Sequence, residues 1–230
     1  MSTFRFRRVI TAFLALVVVL AVASCVTGPG VSEASGAQTA EGVQPAPPDA
    51  SAPPVVRRNE PVLSWPGDPA TSIAVSWFPS GDEPAVELKG PDGQQTRLPA
   101  DMAGPVAQAF AFGLSPSTWY EYRIAGESEW QTFRTMPPPG PSGSSARSNS
   151  ASQALAFAVA GDLQPFNRET DRTTTLVMSK LASLNPAFVL QIGDVSEVGI
   201  SRRSVRRAVA ILSTVGARTP ILATAGNHDY

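Results

Sequence analysis

Phe188-Val189-Leu190-Gln191-Ile192-Gly193-Asp194 is a short, mostly apolar run that ends abruptly in Gly-Asp. Its length and β-branched content suit a strand buried on both faces. The same pattern occurs upstream, where Leu155 to Ala160 runs into Gly161-Asp162, and downstream, where Ile221 to Thr224 leads to Gly226-Asn227-His228-Asp229. Helical stripes lie between the runs. Leu176, Val177, Leu181 and Leu184 mark a helix over 173–184, and Val205, Ala208, Val209, Leu212 and Val215 mark another over 201–215. Strand, helix, strand, helix, strand predicts a parallel α/β sheet with right-handed crossovers.

Open α/β sheets place ligand sites beyond the carboxyl ends of their strands. Asp162, Asp194, Asn227 and His228 are expected along that edge. Carboxylates, an amide oxygen and an imidazole are suitable donors for Mn, Fe or Zn. Each Gly-Asp taken alone also reads as a turn or a helix cap. Gly-Asn-His-Asp is more specific, and the three motifs in order reinforce one another.

Working towards the amino terminus, Pro137 to Gln153 is a Pro/Gly/Ser stretch and reads as a linker. Before it, strand signals dominate. Ile73, Val75 and Trp77 alternate with Ser72, Ala74 and Ser76, and Tyr120, Tyr122 and Ile124 alternate with Glu121 and Arg123. Further short strands are expected over 85–88, 105–112 and 130–134. Ser80-Gly81-Asp82 and Pro91-Asp92-Gly93 have turn chemistry. Short strands at this spacing predict a β-sandwich. All four Trp (65, 77, 119 and 130) lie here, with Trp77 expected in the core and an exposed aromatic ligand site as the alternative for the others.

At the start of the chain, Arg5, Arg7 and Arg8 precede an apolar run from Val9 to Ala23, the grammar of a secretory signal. The run is shorter than the ~20 residues of a spanning helix. Val22-Ala23-Ser24-Cys25 resembles the lipobox of bacterial lipoproteins. That resemblance implies acylation of Cys25, cleavage before it, and export with anchoring to membrane lipid, each buried CH₂ adding about 0.8 kcal/mol. An uncleaved anchor helix with an incidental Cys is the other reading. Residues 25–58 are rich in Gly, Ser, Ala, Pro and Gln and read as a disordered tether. The single Cys rules out an intrachain disulfide, and 18 basic against 19 acidic residues argue against nucleic acid as a partner.

Leu114-Ser-Pro116-Ser-Thr118-Trp-Tyr120-Glu-Tyr122-Arg-Ile124 resembles the fibronectin type III pattern, in which the Tyr at the position of Tyr120 bonds nearby backbone. With Gly67 to Trp77 and the stretch to Pro138, it looks like the non-catalytic N-terminal domain of purple-acid-phosphatase-like proteins. The C-terminal motifs resemble the calcineurin-like metallophosphoesterase superfamily, whose pattern runs Asp-x-His, Gly-Asp-x-x-Asp, Gly-Asn-His-Asp/Glu. Here these stand as Asp162-Leu163-Gln164, Gly193-Asp194-Val195-Ser196-Glu197 and Gly226-Asn227-His228-Asp229.

The resemblance implies two metal ions (Fe, Mn or Zn), with Asp162 at the first, Asp194 bridging, and Asn227 at the second; Gln164 either ligates more weakly through its amide oxygen or stands outside the ligand shell. His228 would contact the phosphate or protonate the leaving group, and Asp229 would orient it. The implied reaction is hydrolysis of a phosphate monoester or diester, by in-line attack of a water activated between cations about 3.5–4 Å apart. Two departures stand out. Gln164 replaces a frequent His, and Glu197 replaces the iron-binding Tyr of purple acid phosphatases, so no purple charge-transfer colour is expected. The family also carries further His ligands beyond this point, so a partial sequence with little catalysis of its own is expected.

The expected organisation is multidomain: signal 1–24, tether 25–58, an all-β fibronectin-III-like sandwich 59–136, linker 137–153, and the first part of an α/β metallophosphoesterase domain 154–230. The alternative function is a non-catalytic, lipid-anchored binding module that uses the sandwich. A structural spacer has no positive support.

Overall fold

The computed structural model describes residues 18–20, 59–138 and 155–230. Cys25, the tether and residues 139–154 lie outside them, as does the leader apart from β1 (Val18–Leu20). The fold is β-rich with few helices. It has two sheets in the first large segment and one mixed sheet with two helices in the second.

The first segment holds β2 (Val62–Ser64), β3 (Ser72–Trp77), β4 (Ala85–Lys89), β5 (Gln95–Pro99), β6 (Asp101–Ala103), β7 (Val106–Phe112), β8 (Trp119–Ile124) and β9 (Gln131–Arg134). They form two antiparallel sheets, ordered β2-β3-β7-β6 and β5-β4-β8-β9. Alternation delivers Ile73, Val75 and Trp77 from one sheet and Val86, Tyr122 and Phe133 from the other into one core. Trp77 is 1% exposed, as its place in the strand pattern requires. The Tyr120 hydroxyl accepts the Ser115 N–H at 2.9 Å, which ties the start of β8 to the preceding turn. Strands β2, β5 and β6 were not expected from the sequence. The last two are almost wholly exposed and polar, so no apolar period announces them.

The second segment holds β10 (Phe157–Ala160), α1 (Arg168–Ser183), β11 (Val189–Ile192), α2 (Arg202–Gly216), β12 (Ile221–Thr224) and a single 3-10 turn, Asn227–Asp229. β10, β11 and β12 run parallel, and β1 adds antiparallel to the free side of β10. Met178 and Leu181 of α1 and Ile211, Leu212 and Val215 of α2 cover one face of the sheet. Helix α1 starts at Arg168, earlier than the expected 173. Asn167 caps the Glu169 and Thr170 N–H groups at 2.8 and 2.9 Å, while the first turn it starts is polar and shows no apolar stripe. Ser201 caps α2 by accepting the Ser204 N–H at 3.3 Å.

The two segments are packed together. Val62 of β2 joins the core of the α/β segment, and Trp65 meets Phe188 with ring centroids 5.4 Å apart. The Tyr122 hydroxyl donates to the buried Ala217 carbonyl at 2.7 Å, and Arg218 Nε donates to Gln131 at 3.1 Å. Arg206 lies over the Phe78 ring at 4.8 Å. The sandwich thus abuts the carboxyl end of α2 and the start of β12. The opposite, carboxyl edge of the sheet is left for polar groups.

Candidate metal centre

Register sets the level of the three strand ends. Ala160 pairs with Gln191, and Gln191 pairs with Ala223. Gly161-Asp162, Gly193-Asp194 and Gly226-Asn227 therefore leave the sheet at one height. Backbone bonds join the first two turns: Asp162 N–H donates to the Gly193 carbonyl at 3.2 Å, and Leu163 N–H to the Asp194 carbonyl at 3.0 Å. The third turn is drawn in by Asp194 itself, whose Oδ1 accepts the His228 N–H at 2.9 Å. Gly226 is required for that approach, because a Cβ there would overlap Asp194 Oδ1 and its backbone nitrogen.

Asp162, Gln164 and Asp194 all have left-handed backbones, with φ of +52°, +32° and +52°. Such conformations cost non-Gly residues about 1–3 kcal/mol each and persist only where the surroundings impose them. All three stand on the carboxyl edge of the sheet.

The side chains are not all employed alike. Those of Asp162, Gln164 and Asn227 make no hydrogen bond to described residues, and Asp194 uses one oxygen, so free oxygens remain on each. That donor chemistry fits a hard or borderline cation held by Asp162, Gln164, Asp194 and Asn227. The set is lean: among the described residues no group of three or more His, Cys, Asp or Glu side chains gathers as a metal cluster.

The hydrogen bonds of the His228 ring and of the Asp229 carboxylate to described residues run mainly to backbone groups. The imidazole Nδ1 lies 3.1 Å from the Glu197 carbonyl. Asp229 accepts N–H bonds from Gly226 at 2.9 Å, Val195 at 3.2 Å and Ser196 at 3.0 Å, so it clamps backbone rather than bonding the imidazole. The Glu197 carbonyl holds the His228 pKa above the ordinary imidazole value. Slight desolvation opposes it, and the charges of Asp194, Glu197 and Asp229 add to it. Burial pushes the Asp229 carboxyl up, but the Gly226, Ser196 and Val195 N–H groups and the Ser196 hydroxyl outweigh it and leave the carboxyl below its usual range. Sequence reading gave no role to the Val195 and Ser196 N–H groups or to the Glu197 carbonyl, because backbone groups carry no residue-type signature.

No family model and no curated protein matches this sequence. Among solved structures, the chain is similar to purple acid phosphatase from yellow lupin (Lupinus luteus) seeds. The TM-score is 0.58 at 19% identity, over 74% of this chain and 35% of that one. It also matches PhoD, with a TM-score of 0.46 at 15% identity over 75% of this chain and 40% of that one. The chain thus spans about a third of the length of the purple acid phosphatase. At that identity the likeness establishes the fold: over the matched part, this chain is folded like a purple acid phosphatase.

Proposed function

We propose that the chain carries part of the site of a metal-dependent phosphoric ester hydrolase. The observation that carries this reading is the alignment of three parallel strand ends, each delivering strained or unengaged polar groups to one edge. Asp162 and Gln164, Asp194, and Asn227 are the cation-holding residues, and the fold they sit on is of phosphatase type. A bound metal pair (Fe, Mn or Zn) would supply Lewis-acid charge and an activated water.

The protein's own contribution follows from its geometry. Asp194 fixes the 226–229 turn through the His228 N–H. The imidazole, held on its Nδ1 side by the Glu197 carbonyl, keeps Nε2 for the phosphate or its leaving oxygen. The substrate is a phosphate monoester or diester. We further propose export and anchoring to membrane lipid through an acylated Cys25, cleavage before which would take β1 from the edge of the sheet, with a sandwich domain at 59–136 and the hydrolase segment from 154.

The test is hydrolysis of p-nitrophenyl phosphate and bis-p-nitrophenyl phosphate by the full chain with added Mn, Zn or Fe. Weak, chelator-sensitive hydrolysis that is lost in His228→Ala is expected. Turnover that is indifferent to chelator and to that substitution contradicts the assignment.

A further inference from the structure

The loop between Asp194 and α2 folds back over the 226–229 turn. Gly199 N–H donates to the His228 carbonyl at 2.7 Å. A Cβ on Gly199 would overlap the backbone C and O of Asp229, so only glycine permits the loop to lie this close. The loop is itself fastened to α2, since Val198 N–H donates to the Ser204 hydroxyl at 3.2 Å and Ser201 N–H to the Val198 carbonyl at 3.0 Å. Asp229 adds a second fastening through the Val195 and Ser196 N–H groups. The product of this closure is one contact, the Glu197 carbonyl 3.1 Å from His228 Nδ1.

A carbonyl oxygen can only accept, so the hydrogen between them resides on Nδ1. A neutral imidazole has a single N–H, and this contact therefore assigns the other nitrogen, Nε2, as the lone-pair atom. We infer that Gly199 is a positioning residue for His228, and that through the Glu197 carbonyl it fixes the imidazole as the Nδ1–H tautomer, leaving Nε2 as the lone-pair nitrogen. The consequence for turnover rests on the proposed phosphoester hydrolysis, but the tautomer does not. Once protonated, a ring so held presents Nε2–H to a leaving oxygen. A ring free to take the Nε2–H tautomer when neutral would lose that orientation.

The sequence contains one His, so its ring nitrogens give unambiguous signals in the full chain. Long-range ¹H–¹⁵N spectra of the labelled protein at alkaline pH, where the ring is neutral, read the tautomer directly. The wild type is expected to show a protonated Nδ1 and a bare Nε2. Gly199→Ala is expected to transfer the major population to Nε2–H, the form free imidazole side chains prefer. Ser204→Ala, a milder loosening of the loop, is expected to give a partial shift. Glu197→Ala keeps the carbonyl and is expected to leave the tautomer unchanged. In any active preparation Gly199→Ala should lower kcat with little change in KM.

The inference is overturned by a wild type that is mainly Nε2–H, by a folded Gly199→Ala that keeps Nδ1–H, or by loss of the tautomer in Glu197→Ala. If Gly199→Ala does not fold, the wild type, Ser204→Ala and Glu197→Ala still decide it. Absence of hydrolysis with the Nδ1–H form intact would fail the proposed function and leave the positioning role standing.

Discussion

The sandwich and the α/β segment handle side chains in opposite ways. In the sandwich Trp77, Tyr122 and Phe133 are fully enclosed and belong to one core shared by both sheets. In the α/β segment, Asp162, Gln164 and Asp194 hold left-handed backbones on the sheet edge. Large apolar side chains stand in the open in both regions, Phe112 at 66% in the sandwich and Ile200 at 86% in the α/β segment. The difference lies in what each region gathers: the sandwich brings its large side chains into one core, and the α/β segment sets three left-handed polar residues together on one edge.

The comparison breaks first in the core. Phe133→Ala should destabilise the chain by about 3–5 kcal/mol in denaturant unfolding, because it empties the contact of Phe133 with the Tyr120 and Tyr122 rings. Tyr122→Phe should cost about 1–3 kcal/mol, since the Ala217 carbonyl is buried and loses its donor. The same substitution should loosen the packing of the two segments, seen as faster proteolysis within 155–230.

Asp162→Gly goes the other way. Relief of the left-handed backbone should raise stability by about 1 kcal/mol while weakening metal binding, the signature of a residue kept for function. A destabilised Asp162→Gly would remove the contrast between the two regions. The smallest expected effect is at Glu60, where burial raises the carboxyl pKa and the Arg206 charge offsets part of the rise. A raised folded pKa means the folded chain binds the proton more tightly. Stability therefore falls as pH rises from below the unfolded pKa through the folded one. Glu60→Gln should flatten that slope in urea titrations across the acid range.

Much of the fold is legible where burial imposes a period. Ile73, Val75 and Trp77 announce β3, and the run to Ile192 announces β11, because one or both faces of these strands must be apolar. The exposed strands β5 and β6 and the polar first turn of α1 obey no such rule, and hydrogen bonding alone defines them. The candidate site shows the same division. Asp162, Asp194, Asn227 and His228 could be proposed because their side-chain types suit a metal site. The clamp of Asp229 on three backbone N–H groups, and the contact of the Glu197 carbonyl with His228, arise from loop closure over Gly199, which no spacing rule predicts.

The central claim is that the carboxyl edge of β10, β11 and β12 holds metal. Mn(II) titration of the full chain, followed by electron paramagnetic resonance, tests it most directly. The account predicts saturable binding that weakens more than tenfold in both Asp162→Asn and Asp194→Asn, with the far-ultraviolet circular dichroism unchanged. Binding of equal strength in the wild type and both variants, or none in the wild type, would contradict it.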